Sequence, residues 1–248
     1  MALSRLLLYL GLAGVTAVMT ILLSYGVIGP RPTLPGQVIV PPADVSGMIK
    51  PRKESGPLYV LLVGTSLTKR GDWPEKLERA LASCAPQGIK VERLAKSGAG
   101  IRWGLPALQT RLSDTSLARP DITIVELSGN DASLRQGLPL FLARKKTLLL
   151  IEMIRGAGSV PFLSTMNPGW ESKAITRPGQ ARYHGMYRDI TAKTGAGLID
   201  TVPQWLALPT GIRTRVVPDG GHPNDEGARL ITIPAFLAAL TPLVCNQM

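Results

Sequence analysis

The chain has 248 residues, 45 % of them apolar, and carries 28 Lys and Arg against 17 Asp and Glu, a formal charge of +11 at pH 7. That length gives one domain with additional segments and enough chain to bury a core. The charge calls for an anionic partner. However, the basic residues are scattered (Lys69-Arg70, Arg144-Lys145-Lys146, Arg213, Arg215), with no recognition helix, zinc spacing or stacking aromatics, so a nucleic-acid-binding module is not expected.

Residues 6–29 contain no charged side chain. As a helix they would rise about 36 Å, enough to cross a hydrocarbon core of about 30 Å. Residues 1–29 therefore read as an N-terminal transmembrane anchor. Arg5 and the amino terminus place the short N-terminal side in the cytoplasm and the rest of the chain outside it. A cleaved signal peptide is the alternative, but its apolar region is normally ~7–15 residues and ends at small residues. Residues 30–57 hold Pro30, Pro32, Pro35, Pro41, Pro42, Pro51 and Pro57 and read as a Pro-rich linker. The folded domain is expected over 58–248.

From residue 58, short apolar runs alternate with longer helical patterns. Strands are predicted at 58–63, 89–94, 121–127, 159–164 and 197–200, and helices at 73–84, 104–115, 137–156, 179–194 and 224–240. The last begins after Pro223, with Asn224 or Asp225 placed to cap it and Pro234 placed to kink it. Strand–helix alternation implies an α/β fold with a parallel sheet covered on both faces. Cys84 and Cys245 lack metal-ligand spacing. They are either one disulfide closing most of the domain or two buried thiols.

The polar motifs fall after the strands, where open α/β sheets form their sites. Ser66 follows the first strand. A serine hydroxyl is a poor nucleophile until a base takes its proton, and local sequence alone also allows Ser66 to be a cap. Of the two histidines, His184 lies in a helical pattern as a surface or packing residue. His222 has Asp219 three residues before it across a Gly-Gly turn, where a carboxylate can fix the imidazole tautomer and stabilise the imidazolium. The same glycines would serve an ordinary turn before a capped helix. Asn130 and Gly98 can donate N–H to a developing oxyanion, Gly100 being an alternative to Gly98, while Asn130-Asp131 also suits a capping turn. Trp170, Arg182, Tyr183 and Trp205 are further candidates to line a cleft.

In this order the blocks resemble the SGNH hydrolase superfamily, also called the GDSL family, over about residues 58–241. Gly64-Thr65-Ser66-Leu67 is similar to its Gly-Asp-Ser-Leu block, Gly98 to its second block, Ser128-Gly129-Asn130-Asp131 to its Gly-x-Asn-Asp block, and Asp219 to His222 matches its Asp-x-x-His block. The resemblance implies a flavodoxin-like three-layer α/β/α sandwich on a five-stranded parallel sheet. It implies Ser66 as nucleophile, His222 as base and Asp219 as its orienter. Ser66 N–H, Gly98 N–H and the Asn130 side chain would form the oxyanion hole. Thr65 and Ser128 depart from the family pattern, and Thr65 removes a carboxylate that usually braces the loop.

These readings lead to a serine esterase that hydrolyses an ester, an O-acyl group on an envelope carbohydrate or lipid, through an acyl-enzyme on Ser66. An O-acyltransferase to a polysaccharide and a weakly catalytic polysaccharide-binding module are the alternatives. Lys96 and Arg102 flank the proposed oxyanion loop and are expected to favour an anionic substrate. No metal and no cofactor is expected.

Overall fold

The computed structural model describes residues 14–19, 38–43 and 56–245. Its centre is a six-stranded sheet of order β1-β6-β5-β4-β2-β3. The strands are β1 (Val38–Val40), β2 (Leu58–Gly64), β3 (Ile89–Ala95), β4 (Ile122–Val125), β5 (Val160–Ser164) and β6 (Gly197–Asp200). β2 to β6 run parallel, in the flavodoxin-like order.

β2 is a near-continuous apolar run buried on both faces, as an interior parallel strand must be. Its residues alternate between two cores. Val60 and Leu62 join Trp73, Leu77 and Leu81 of α1 (Trp73–Ala82) on one side. Leu61 and Val63 join Leu108 of α2 (Ile101–Ser113), Leu150 of α3 (Leu140–Gly156) and Tyr187 of α4 (Gln180–Thr194) on the other. Helices therefore cover both faces, giving the expected three layers. β3 is an edge strand and keeps Lys90 and Arg93 exposed, which protects an open edge.

The sheet differs from expectation by one strand. Five parallel strands were read from the sequence, and β1 is a sixth, antiparallel to β6 with Val38 opposite Asp200 and Val40 opposite Leu198. It lies inside the 30–57 segment read as a linker. Three residues between prolines carry no periodic signal, and this strand forms by pairing with a distant edge.

The last helical segment begins at Asp225, capped by Asn224, whose Oδ1 accepts the Gly227 N–H at 3.0 Å. It passes through a π-helical turn at Ala228–Thr232 before α5 (Ile233–Val244). Pro234 lacks an N–H and its ring crowds the carbonyl four residues back, and the wider turn lies at that point. Among the described residues, Asp225–Val244 is long and apolar enough to cross a membrane. Ala235, Phe236, Ala239, Leu240 and Val244 of this helix are buried in the domain core. The span expected at 6–29 lies outside the described residues except for 14–19, which are helical and exposed. Cys84, just beyond α1, and Cys245, at the end of α5, form a disulfide with a Cα–Cα distance of 5.1 Å. Of the two readings left open by the sequence, the structure takes this one.

Candidate active site

Ser66 opens a single helical turn, Ser66–Lys69, directly after β2. Thr65 caps that turn, its Oγ1 accepting the Leu67 N–H at 3.2 Å. The residue in the place of the family's Asp thus supplies a cap of its own. The chain bends so tightly that a Cβ on Gly64 would lie 1.9 Å from Thr68 Oγ1, so only glycine fits there. Thr68 Oγ1 in turn donates to Glu126 Oε2 at 2.6 Å and ties the loop to the end of β4. As the first residue of a helix, Ser66 has an N–H with no acceptor within its own helix.

Ser66 Oγ lies 2.8 Å from His222 Nε2, although 156 residues separate them. On the far side of the ring, His222 Nδ1 lies 2.5 Å from Asp219 Oδ2. The other oxygen, Asp219 Oδ1, accepts the N–H groups of Gly221 at 2.9 Å and His222 at 2.7 Å. Gly220 between them sits at φ +70°, a backbone region that favours glycine. Burial raises the Asp219 carboxyl, but the hydrogen bonds from the His222 side chain and the two backbone groups outweigh it and hold it down to about 2. Asp219 is therefore an ionised pure acceptor at neutral pH. Nδ1 then carries the ring proton, and Nε2 is free to accept the Ser66 proton.

Asn130 lies on the short helix Ser128–Asp131 after β4 and is buried. Its Nδ2 donates one hydrogen to Ala99 O at 2.9 Å, leaving the second for another acceptor. Its Oδ1 accepts from Arg177 at 3.0 Å, and Arg177 Nε also donates to Gly129 O at 3.2 Å. Arg177 thereby fixes which end of the amide faces which way. Ser66, Asn130, His222, Lys173 and Arg177 line one small cleft. Lys173 lies across Gly221, where a Cβ would meet its Cγ at 2.9 Å.

Gly98 sits in a left-handed turn after β3 (φ +74°), with its carbonyl accepting from Gln136 Nε2 at 2.8 Å. Gly100 has a packing role: a Cβ there would meet Asp131 Oδ1 at 2.5 Å, and that oxygen accepts the Ile101 N–H at 2.6 Å. Asp131 thus caps α2 from thirty residues away, and burial raises its carboxyl to about 7 against that bond. Lys96 and Arg102 do not line the cavities around Ser66, and Arg102 donates to Gly137 O at 3.2 Å. Lys173 and Arg177 line one cavity beside Ser66, and Arg70 lines the other. Lys173, on the helical turn Ser172–Ile175, and Arg177, just beyond it, lie in a stretch after β5 that has no motif to mark it. Trp205 does reach the site, lining a cavity beside Ser66, whereas Tyr183 donates its hydroxyl to Leu138 O. His184 is a packing residue, buried and pushed down to about 4 by that burial.

Glu126 is enclosed beneath this site. Burial raises its carboxyl from about 4.5 to about 7, with the Thr68 hydroxyl acting against the shift. The folded state then holds a proton between pH 4.5 and 7 that the unfolded chain has released, so this group's contribution falls as pH rises through that window. The full effect is of order 3 kcal/mol. Asp131 acts in the same sense and His184 in the opposite one. Glu126→Gln is therefore expected to lose less thermal stability than the parent between pH 5 and pH 8. Parallel melting-temperature profiles for the two proteins would contradict this assignment.

The GDSL-like lipase/acylhydrolase family model matches residues 62–230. No curated protein matches the chain. Among solved structures, a lipase/acylhydrolase from Enterococcus faecalis is similar with a TM-score of 0.64 and 18 % identity, covering 77 % of this chain and 100 % of its own. A carbohydrate acetylesterase family member from Sinorhizobium meliloti follows at TM-score 0.55 and 22 % identity, covering 75 % and 97 %. An acetylxylan esterase from Geobacillus stearothermophilus, in a catalytic mutant form, gives TM-score 0.57 and 18 % identity over 75 % and 95 %. These likenesses share the fold, and the family match covers Ser66 and Asn130 just past their strands and His222 in the loop before the last helical segment. The chain belongs to the GDSL-like lipase/acylhydrolase family, that of the SGNH hydrolases.

Proposed function

We propose that this protein is a serine esterase removing an O-acyl group from an anionic carbohydrate of the cell envelope. The Ser66–His222–Asp219 relay, with contacts of 2.8 and 2.5 Å, carries the reading. Ser66 Oγ gives its proton to His222 Nε2 and attacks the ester carbonyl. The oxyanion is held by the Ser66 N–H and the free Asn130 Nδ2 hydrogen, with the Gly98 N–H as third donor by family resemblance. The imidazolium, steadied by ionised Asp219, protonates the departing alkoxide. Water activated by His222 then releases the acyl group from Ser66.

Three observations support the setting. Lys173 and Arg177 line the cleft beside Ser66, and among the described residues neither makes an ion pair. The disulfide favours an oxidising compartment, and the charge-free run at 6–29 favours a membrane tether with the domain outside the cytoplasm. Two of the similar structures are an acetylxylan esterase and a carbohydrate acetylesterase family member. Hydrolysis of p-nitrophenyl acetate by the full chain tests the esterase reading. An acetylated acidic oligosaccharide compared with its neutral counterpart tests the charge preference. At low salt kcat/KM is expected to favour the acidic one roughly tenfold, about 1.4 kcal/mol. Salt and Lys173→Ala should both shrink that ratio. Equal rates would remove the anionic substrate. Transfer to a sugar hydroxyl in preference to water would make the enzyme an acyltransferase.

A further inference from the structure

Arg177 is half-buried in the cleft that holds Ser66, and all three of its guanidinium nitrogens donate. Nε donates to Gly129 O at 3.2 Å, Nη2 to Asn130 Oδ1 at 3.0 Å and Nη1 to Thr176 Oγ1 at 3.2 Å. Each of these acceptors is neutral, and among the described residues no carboxylate pairs with the guanidinium. Burial works against its charge, as does the neighbouring Arg135, while Asp219 favours it. A partly desolvated cation without a counter-ion is costly, so its place here calls for a reason. The orientation of Asn130 is only part of one. Asn130 Nδ2 donates to Ala99 O at 2.9 Å, a bond that favours the same flip of the amide. What a backbone carbonyl cannot provide is charge. A cationic donor on Oδ1 draws electron density from the amide nitrogen and strengthens its remaining N–H as a donor.

We propose that Arg177 is a positioning residue that charges the oxyanion hole through the Asn130 amide. This rests on the esterase reading above. The negative charge that Arg177 lacks in the resting enzyme is the one that develops on the ester carbonyl oxygen. That pairing strengthens as the tetrahedral intermediate forms, so it lowers the barrier and leaves the affinity for the uncharged ester alone. A residue that merely braced the loop, or that attracted an anionic substrate, would not show this division.

The test measures kcat and KM on p-nitrophenyl acetate, a neutral ester, with the full chain. Arg177→Gln keeps a donor and loses the charge, and it is expected to lower kcat about 30-fold with KM within about twofold. Arg177→Lys keeps the charge and loses the fork, and it should retain kcat to within about fivefold. In the Asn130→Ala background, Arg177→Gln should cost less than about threefold more, because the amide that carries the effect is gone. Methylguanidine should restore Arg177→Ala, while methylurea, similar in shape and neutral, should not, a comparison made within one folded variant. Equal losses in the Gln and Lys variants would overturn the proposal. So would a loss undiminished without Asn130, an effect confined to KM, or an equal response to the two additives. Absence of Ser66-dependent hydrolysis in the parent would instead sink the esterase reading.

Discussion

Ser66→Ala and His222→Ala are each expected to lower kcat on p-nitrophenyl acetate by roughly 10⁴- to 10⁶-fold, and the double variant by no more than either alone. The two side chains act in one proton transfer, so removing either removes the step. Their contact is 2.8 Å and Nε2 has no other ring partner among the described residues, so no second residue is positioned to substitute. Residual rate would come from the donors around Asn130, which remain in place. Asp219→Asn should also be severely impaired, because an amide in that place can donate to Nδ1 and favour the tautomer that leaves Nε2 protonated. Far-ultraviolet circular dichroism should stay unchanged, since each replacement removes one contact at a loop end. Multiplicative losses in the double variant would mean that the two residues work independently, and full activity in either single variant would reject the assignment.

Breaking the disulfide should be the largest change in stability. Cys84 and Cys245 are 161 residues apart in sequence, and constraining a loop of that length is worth about 5 kcal/mol in the chain-entropy account. For a domain of this size that corresponds to a fall in melting temperature of roughly 10–20 °C. The Cys84→Ser, Cys245→Ser double variant should show it without reductant, and dithiothreitol should bring the parent to the same point while leaving the variant unaffected. A shift below about 3 °C would show that α1 and α5 hold together through the core without the bond. The buried contacts between them are substantial, including Trp73 against Phe236 with ring centroids 5.0 Å apart, so the measurement separates packing from crosslinking.

The parts of this molecule that the sequence made legible are those with a local physical signature. β2 reads as a buried strand because its apolar run is uninterrupted. Asp219 and His222 read as a pair because three residues and two glycines bring them together. Ser66 was ambiguous by itself and gained meaning only from the other blocks. What escaped has no local signature. β1 exists through its partner edge, and Arg177 reaches Asn130 across 47 residues from a loop resembling any other. Sequence proximity to Gly98 suggested Lys96 and Arg102 as substrate cations. The cavities around Ser66 are lined instead by Lys173 and Arg177, and by Arg70 from the turn that Ser66 opens.

The pairing of Val38–Val40 with β6 also fixes how far the enzyme can roam on the tethered reading. With residues 30–57 all free, the leash between bilayer and domain would extend to about 100 Å. Stapling the chain to the sheet at Val38 leaves only 30–37, at most about 29 Å. On that reading β1 would stay within about 29 Å of the lipid surface and the catalytic cleft no more than a domain's width beyond it. It would process acyl groups on polymers as they emerge at the membrane and miss those already displaced into the outer layers of the envelope.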